Sequence, residues 1–104
     1  MDLVAEVYQL AAGLPWLDRF ELASQMRRAA VSVPSNLAEG YGRAHRGEYR
    51  NFVSIANGSL KELETHVLVA IRVGHLGRER AEKALALAAE VGKMLHALRR
   101  ALDG

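Results

Sequence analysis

Cysteine is absent from this 104-residue chain. That absence removes disulfides, zinc–thiolate sites, iron–sulfur clusters and thiol nucleophiles together, and it fits a reducing compartment. Long apolar runs are missing too. Unbroken aliphatic stretches such as Val67 to Ile71 fall far short of the about 20 residues needed to span a bilayer. The start at Met1 and Asp2 carries neither the basic stretch nor the apolar run of a secretory leader. No internal repeat, low-complexity tract or linker interrupts the sequence, so residues 1–104 read as one domain. The expectation is a cytoplasmic protein that does not engage membranes.

Charge of one sign is also scarce, since the formal net charge is only +2. Its distribution is uneven. Between Ser24 and Arg50 lie Arg27, Arg28, Arg43, Arg46 and Arg50 against Glu39 and Glu48, while the remainder sums to −1. The local excess is entirely arginine, whose planar fork suits bidentate contact with phosphate or carboxylate.

What is present is helical periodicity. Ala81, Ala84, Ala88, Val91, Leu95, Leu98 and Leu102 alternate steps of three and four, a heptad seam for packing along a neighbour at a shallow angle. Between Glu48 and Val73 the same rhythm gives Phe52, Ala56, Ser59, Leu63, His66, Ala70 and Val73, widened by a second row of Val53, Leu60 and Val67. A third segment opens at Asp18 with Glu21 three positions on, as in a capping box, and continues with Leu22, Met26, Ala29 and Val33 at core spacing. The first segment, Leu3 to Ala12, places Leu3, Val7 and Leu10 on one face with Val4 and Ala11 beside them. Gly13-Leu14-Pro15, Gly42 to Gly47 and Gly74 to Gly77 punctuate the four segments. Short links favour antiparallel neighbours, so the predicted fold is all-α, an antiparallel up-down four-helix bundle. Pro34 falls inside the second helix, which is expected to continue through it with a kink rather than end there.

A four-helix bundle invites a di-iron carboxylate site, which needs Glu-x-x-His pairs on two helices. The residues three before His45, His66, His75 and His96 are Gly42, Leu63, Arg72 and Lys93, so no such pair exists. Glu62 and His66 lie one turn apart, and one such pair does not complete a coordination shell. There is no nucleophile elbow, phosphate-cradling glycine loop or His-Glu-x-x-His. No catalytic residue, metal ligand or cofactor is expected. Asn57-Gly58-Ser59 matches a glycosylation sequon, but Gly58 and Ser59 read better as a close approach of two helices. Trp16 and Tyr41 stand beside loops, where a ring either stacks on a base or caps an apolar end.

The informative feature is a polar stripe on the second helix. Gln25, Arg28, Ser32, Ser35, Glu39, Arg43 and Arg46 follow at spacings of three and four, with Asn36 alongside. Small hydroxyls flanked by arginines suit a hydrogen-bonded seam between helices or subunits. Two other readings stand beside it: a solvated face, or the lining of a basic groove in which Arg27, Arg43, Arg46 and Arg50 meet nucleic-acid phosphates.

These residues carry a family resemblance. The run from Ser24 to Arg43, with Gln25, Arg27, Arg28, Ser32, Pro34, Asn36, Glu39 and Gly40, resembles the hallmark of the bacterial four-helix-bundle proteins. These are also described as ribosomal-RNA intervening-sequence proteins. The run from Ser59 to His66, with Glu62 and Glu64, resembles the family's second signature. The resemblance spans nearly the whole chain. It implies a bundle that assembles as a ring, a homopentamer, encoded within intervening sequences of large-subunit ribosomal RNA. A related branch, the accessory variability proteins of diversity-generating retroelements, implies RNA or DNA and a reverse transcriptase as partners. The alternative is a protein–protein adaptor with no nucleic-acid binding. The resemblance implies no catalytic role for any matching residue. Family members usually extend about a dozen residues further before the equivalent of Val4, so here the first helix is expected to cover only part of its neighbours, which leaves either an open end of the bundle or a true start further upstream.

Overall fold

A computed structural model of the chain describes residues 1–14 and 21–103. It contains four helices: α1 (Asp2–Ala12), α2 (Glu21–Tyr41), α3 (Arg46–Arg72) and α4 (Arg78–Asp103). The expected capping box at Asp18 and the ring of Trp16 lie outside the described residues.

The pairings fix the topology. Ser32 meets Ser59 and Gly40 meets Phe52, so moving up α2 moves down α3. Arg50 meets Asp103 and Gly92 abuts Leu60, so α3 and α4 are likewise antiparallel. α1 packs on α2 and α4, and among the described residues it does not meet α3, nor does α2 meet α4. The result is the expected up-down four-helix bundle. None of the described helices is long and apolar enough to cross a membrane.

The core follows the apolar spacing. Leu3, Val7 and Leu10 of α1 meet a layer that includes Met26, Ala30 and Val33 of α2 and Ala84, Ala88 and Leu95 of α4, all buried. On α3 the second row proves to be central. Val53, Leu60 and Val67 are buried with Ala56, Leu63 and Ala70, whereas Phe52, Ser59 and His66 are only half-buried and Val73 is exposed. The α3 stripe is therefore rotated toward the second row, and Val73 is no part of the core.

α2 runs unbroken through Pro34. Proline has no amide hydrogen to return to the Ala30 carbonyl, yet burial of Ala30 and Val33 before it and Gly40 after it holds both halves on α3. α3 ends where Gly74 takes φ +82, a conformation that favours glycine, and the His75 amide returns to the Ala70 carbonyl at 2.9 Å. Leu76 is buried immediately afterwards and pins the turn to the core.

α1 has 11 residues against 27 in α3 and 26 in α4. It spans about 16 Å where α3 spans about 40 Å, so among the described residues α1 lies along only part of the length of its neighbours. Leu37 of α2 and Leu98 and Leu102 of α4 are only half-buried.

Candidate interaction surfaces

The polar stripe on α2 divides into an inner and an outer part. Ser32 and Asn36 turn inward. Asn36 Nδ2 donates to the Ser32 carbonyl at 2.8 Å and to Ser32 Oγ at 2.9 Å. Ser32 Oγ lies 2.7 Å from Ser59 Oγ on α3, and its own hydrogen can donate there. This part of the stripe is a hydrogen-bonded seam between two helices of one chain. Gln25, Arg28 and Ser35 stay exposed, and none makes a side-chain hydrogen bond or ion pair to another described residue.

Beside them runs an apolar row on α3. Ile55 and Val69, two heptads apart, share one helix face, and Val73 follows one turn on. They are 44, 45 and 55% exposed. Val69 and Val73 line a shallow depression with Leu22 and Gln25 of α2, so the row borders the outer part of the stripe.

The four arginines expected at phosphates do not form one cluster. Arg27 lies over the Tyr8 ring, 5.8 Å from its centroid, on the α1 side of α2. Arg43, Arg46 and Arg50 sit at the α2–α3 turn, some 16 residues further along and so about 24 Å away in helical rise. Arg43 Nη2 pairs with Glu39 Oε1 at 2.5 Å, Nη1 approaches Glu48 at 3.8 Å, and the guanidinium carbon lies 5.2 Å from the Phe52 centroid. Arg50 donates to Asp103 of α4 at 3.1 Å. Arg46 is exposed and makes no ion pair to a described residue.

Three features escape a reading of the sequence. The first is Glu6, 5% exposed within the α1 stripe, held by Arg80 Nη1 at 2.8 Å with Lys83 Nζ at 4.0 Å. Its place between Leu3 and Leu10 at core spacing is a signal, but its partner lies 74 residues away. The second is Gly40, where an added Cβ would stand 2.7 Å from Phe52 Cβ and 3.1 Å from Tyr49 Cδ1. The close approach expected at Gly58 is here instead, because a Cβ on Gly58 would meet nothing within 4 Å. Tyr41 stands exposed at this end and packs edge-on against Tyr49, with centroids 6.0 Å apart.

The third is a groove between the outer faces of α3 and α4. It is lined by Asn57, Lys61 and Glu64 of α3 and, on α4, by the small Ala88, Ala89, Gly92 and Ala97 together with Lys93, His96 and Arg100. On the other flank of α3, His66 Nε2 lies 3.4 Å from Glu62 Oε1, and no group of three or more metal-capable side chains forms among the described residues.

No curated protein matches the chain significantly. Among solved structures it resembles a protein of unknown function from the S23 ribosomal protein family of Bacteroides thetaiotaomicron, determined at 1.70 Å. The TM-score is 0.74 with 21% identity over 93% of this chain and 97% of that one, a likeness that shows the fold. The Ser32–Asn36 part of the seam and the close-packed Gly40 fall in the first of the two motifs that carry the resemblance, and Ser59 opens the second. The sequence pattern of the 23S rRNA-intervening sequence proteins matches residues 1–97, and the chain belongs to that family.

Proposed function

We propose that this chain is a non-enzymatic adaptor that assembles with copies of itself through the α2/α3 face. The observation that carries the reading is the exposed row of Ile55, Val69 and Val73 on α3, with Val69 and Val73 beside Gln25 of α2. β-branched residues are mediocre helix formers and gain nothing when left in water. Three of them on one helix face make sense under a cover, and a domain this small benefits from burying more surface. The family resemblance implies a ring of five and so supports an assembly of that size.

The non-enzymatic half rests on the residue inventory, which has no cysteine and no Glu-x-x-His pair. The nucleic-acid reading, with or without a reverse transcriptase, competes with this one. Arg43 and Arg50 already serve partners within the chain, and that supports the adaptor.

Light scattering coupled to size exclusion at micromolar concentration tests the assembly. The expected result is a multi-subunit mass for the wild type and a single-subunit mass for Ile55→Glu/Val69→Glu with an unchanged helical circular dichroism spectrum. A single-subunit mass for the wild type overturns the proposal. Iron, manganese or zinc retained stoichiometrically through dialysis would overturn its non-enzymatic half. RNA or DNA binding that is lost in Arg43→Ala/Arg46→Ala/Arg50→Ala would favour the competing reading.

A further inference from the structure

We propose that the α3/α4 groove is the docking site for an acidic amphipathic helix of a partner protein. The inference deepens the adaptor reading by naming the chemistry of what is adapted, and it rests on that reading for its setting. The groove is an open depression of about 620 Å³.

Four of its lining residues on α4, Ala88, Ala89, Gly92 and Ala97, have no side chain larger than a methyl group and are interleaved with Lys93, His96 and Arg100. Ala88 is buried, Ala89 is exposed, and Gly92 is half-buried against Leu60 Cδ2. Small residues let a third helix approach two antiparallel neighbours at the short end of the usual spacing, about 8 Å between axes. The ridge entering such a floor is apolar, with residues at i, i+3 or i+4, and i+7.

The groove's charged lining is predominantly basic, with Glu64 its one carboxylate. Lys93, His96 and Arg100 follow at i, i+3 and i+7 along one side of α4, over about 10 Å of helical rise. Neither Lys93 nor Arg100 forms an ion pair with a described residue. Lys61 stands on the opposite wall, where its only close carboxylate is the Glu64 that lines the groove with it, at 3.3 Å. A helix lying in the groove meets the unpaired Lys93 and Arg100 on the α4 side and Lys61, offset by Glu64, on the α3 side. It therefore faces a net positive charge, and glutamates flanking its apolar ridge are the complement.

The same geometry disfavours a nucleic-acid strand. Single strands bind on aromatic rings that stack the bases, and no ring of Phe, Tyr or Trp lines this groove. A phosphate backbone would use the rim and leave the alanine floor uncovered.

The test uses the full chain and fluorescence anisotropy with three labelled probes. One is a peptide of about 18 residues, some 27 Å as a helix, with leucine at heptad core positions and glutamate on both flanks. The second has glutamine at every glutamate, and the third is a thymidine 20-mer of single-stranded DNA. The glutamate peptide should bind saturably below about 500 µM, and the glutamine peptide at least about tenfold more weakly. Ala89→Trp fills the floor from an exposed position, and Lys93→Glu/Arg100→Glu reverses one wall. Each should weaken the glutamate peptide at least about tenfold, with circular dichroism unchanged. Arg72→Glu, outside the groove, should not. The proposal is overturned by no saturable binding, by equal binding of the two peptides, by indifference to Ala89→Trp, or by DNA that binds more tightly and displaces the peptide. The groove variants should keep the wild-type mass in light scattering, so failure here is separable from failure of self-assembly.

Discussion

Two glycines on facing stretches of the α2–α3 pair carry opposite constraints. At Gly40 an added Cβ would sit 2.7 Å from Phe52 Cβ, an atom fixed to the α3 backbone, so neither side can turn away and the helices must separate. Overpacking of this kind costs about 1–3 kcal/mol, against a gain of about 1 kcal/mol from exchanging glycine for alanine within a helix. At Gly58 the same methyl enters open space and only the gain remains. Gly40→Ala should therefore lower stability by up to about 2 kcal/mol, and Gly58→Ala should raise it by about 0.5–1 kcal/mol. Urea denaturation at one fixed protein concentration reads both, because assembly links stability to concentration. The sequence offers no way to rank these glycines. Both stand inside helical patterns, and only the neighbouring helix decides which has room.

At the scale of the element, α1 is the weak member. It contributes 11 residues, and one contact anchoring it is the buried Glu6 carboxylate under Arg80 of α4. Removing Arg80 leaves that carboxylate buried with Lys83 4.0 Å away as its nearest recorded cation. Arg80→Ala should cost about 1–3 kcal/mol, since the orphaned group keeps its desolvation penalty. Glu6→Gln keeps the shape without the charge and should cost less, and Glu6→Leu should be close to neutral. Denaturation ranks the three variants, and amide exchange should show α1 losing protection first in Arg80→Ala. Helix number, order and most core positions are legible in the sequence because period and punctuation are local. What is not legible depends on a second element. Both apolar rows of α3 fit the heptad rhythm equally well, and only packing on α2 and α4 buries Val53, Leu60 and Val67 and leaves Val73 outside. The polar stripe is visible along α2, but its division is set by Ser59 of α3 turning Ser32 and Asn36 inward. The α3/α4 groove joins Lys61 to Lys93 and Arg100, residues that no local reading places together.

The whole molecule is a rod of 44 × 22 × 19 Å in which α3 serves two faces. One flank carries Ile55, Val69 and Val73 beside α2, and the other forms the groove with α4. Copies joined through the first flank leave the second open, so the two interactions should respond independently to solvent. Salt is the discriminating variable, because it screens charge and leaves apolar burial intact. Raising ionic strength from about 0.1 M to about 1 M shortens the Debye length from about 10 Å to about 3 Å. The assembled mass should persist across that range if the interface rests on the apolar row. Binding of the glutamate peptide should weaken progressively, since the rim cations Lys61, Lys93 and Arg100 are solvent-exposed. Light scattering and anisotropy on one preparation read both. A mass that falls to one subunit in high salt would move the interface from Ile55 and Val69 to charged contacts, with the exposed Arg28 as the first to substitute. Peptide binding that ignores salt would mean that the alanine floor alone holds the helix, and the rim would lose its assigned part.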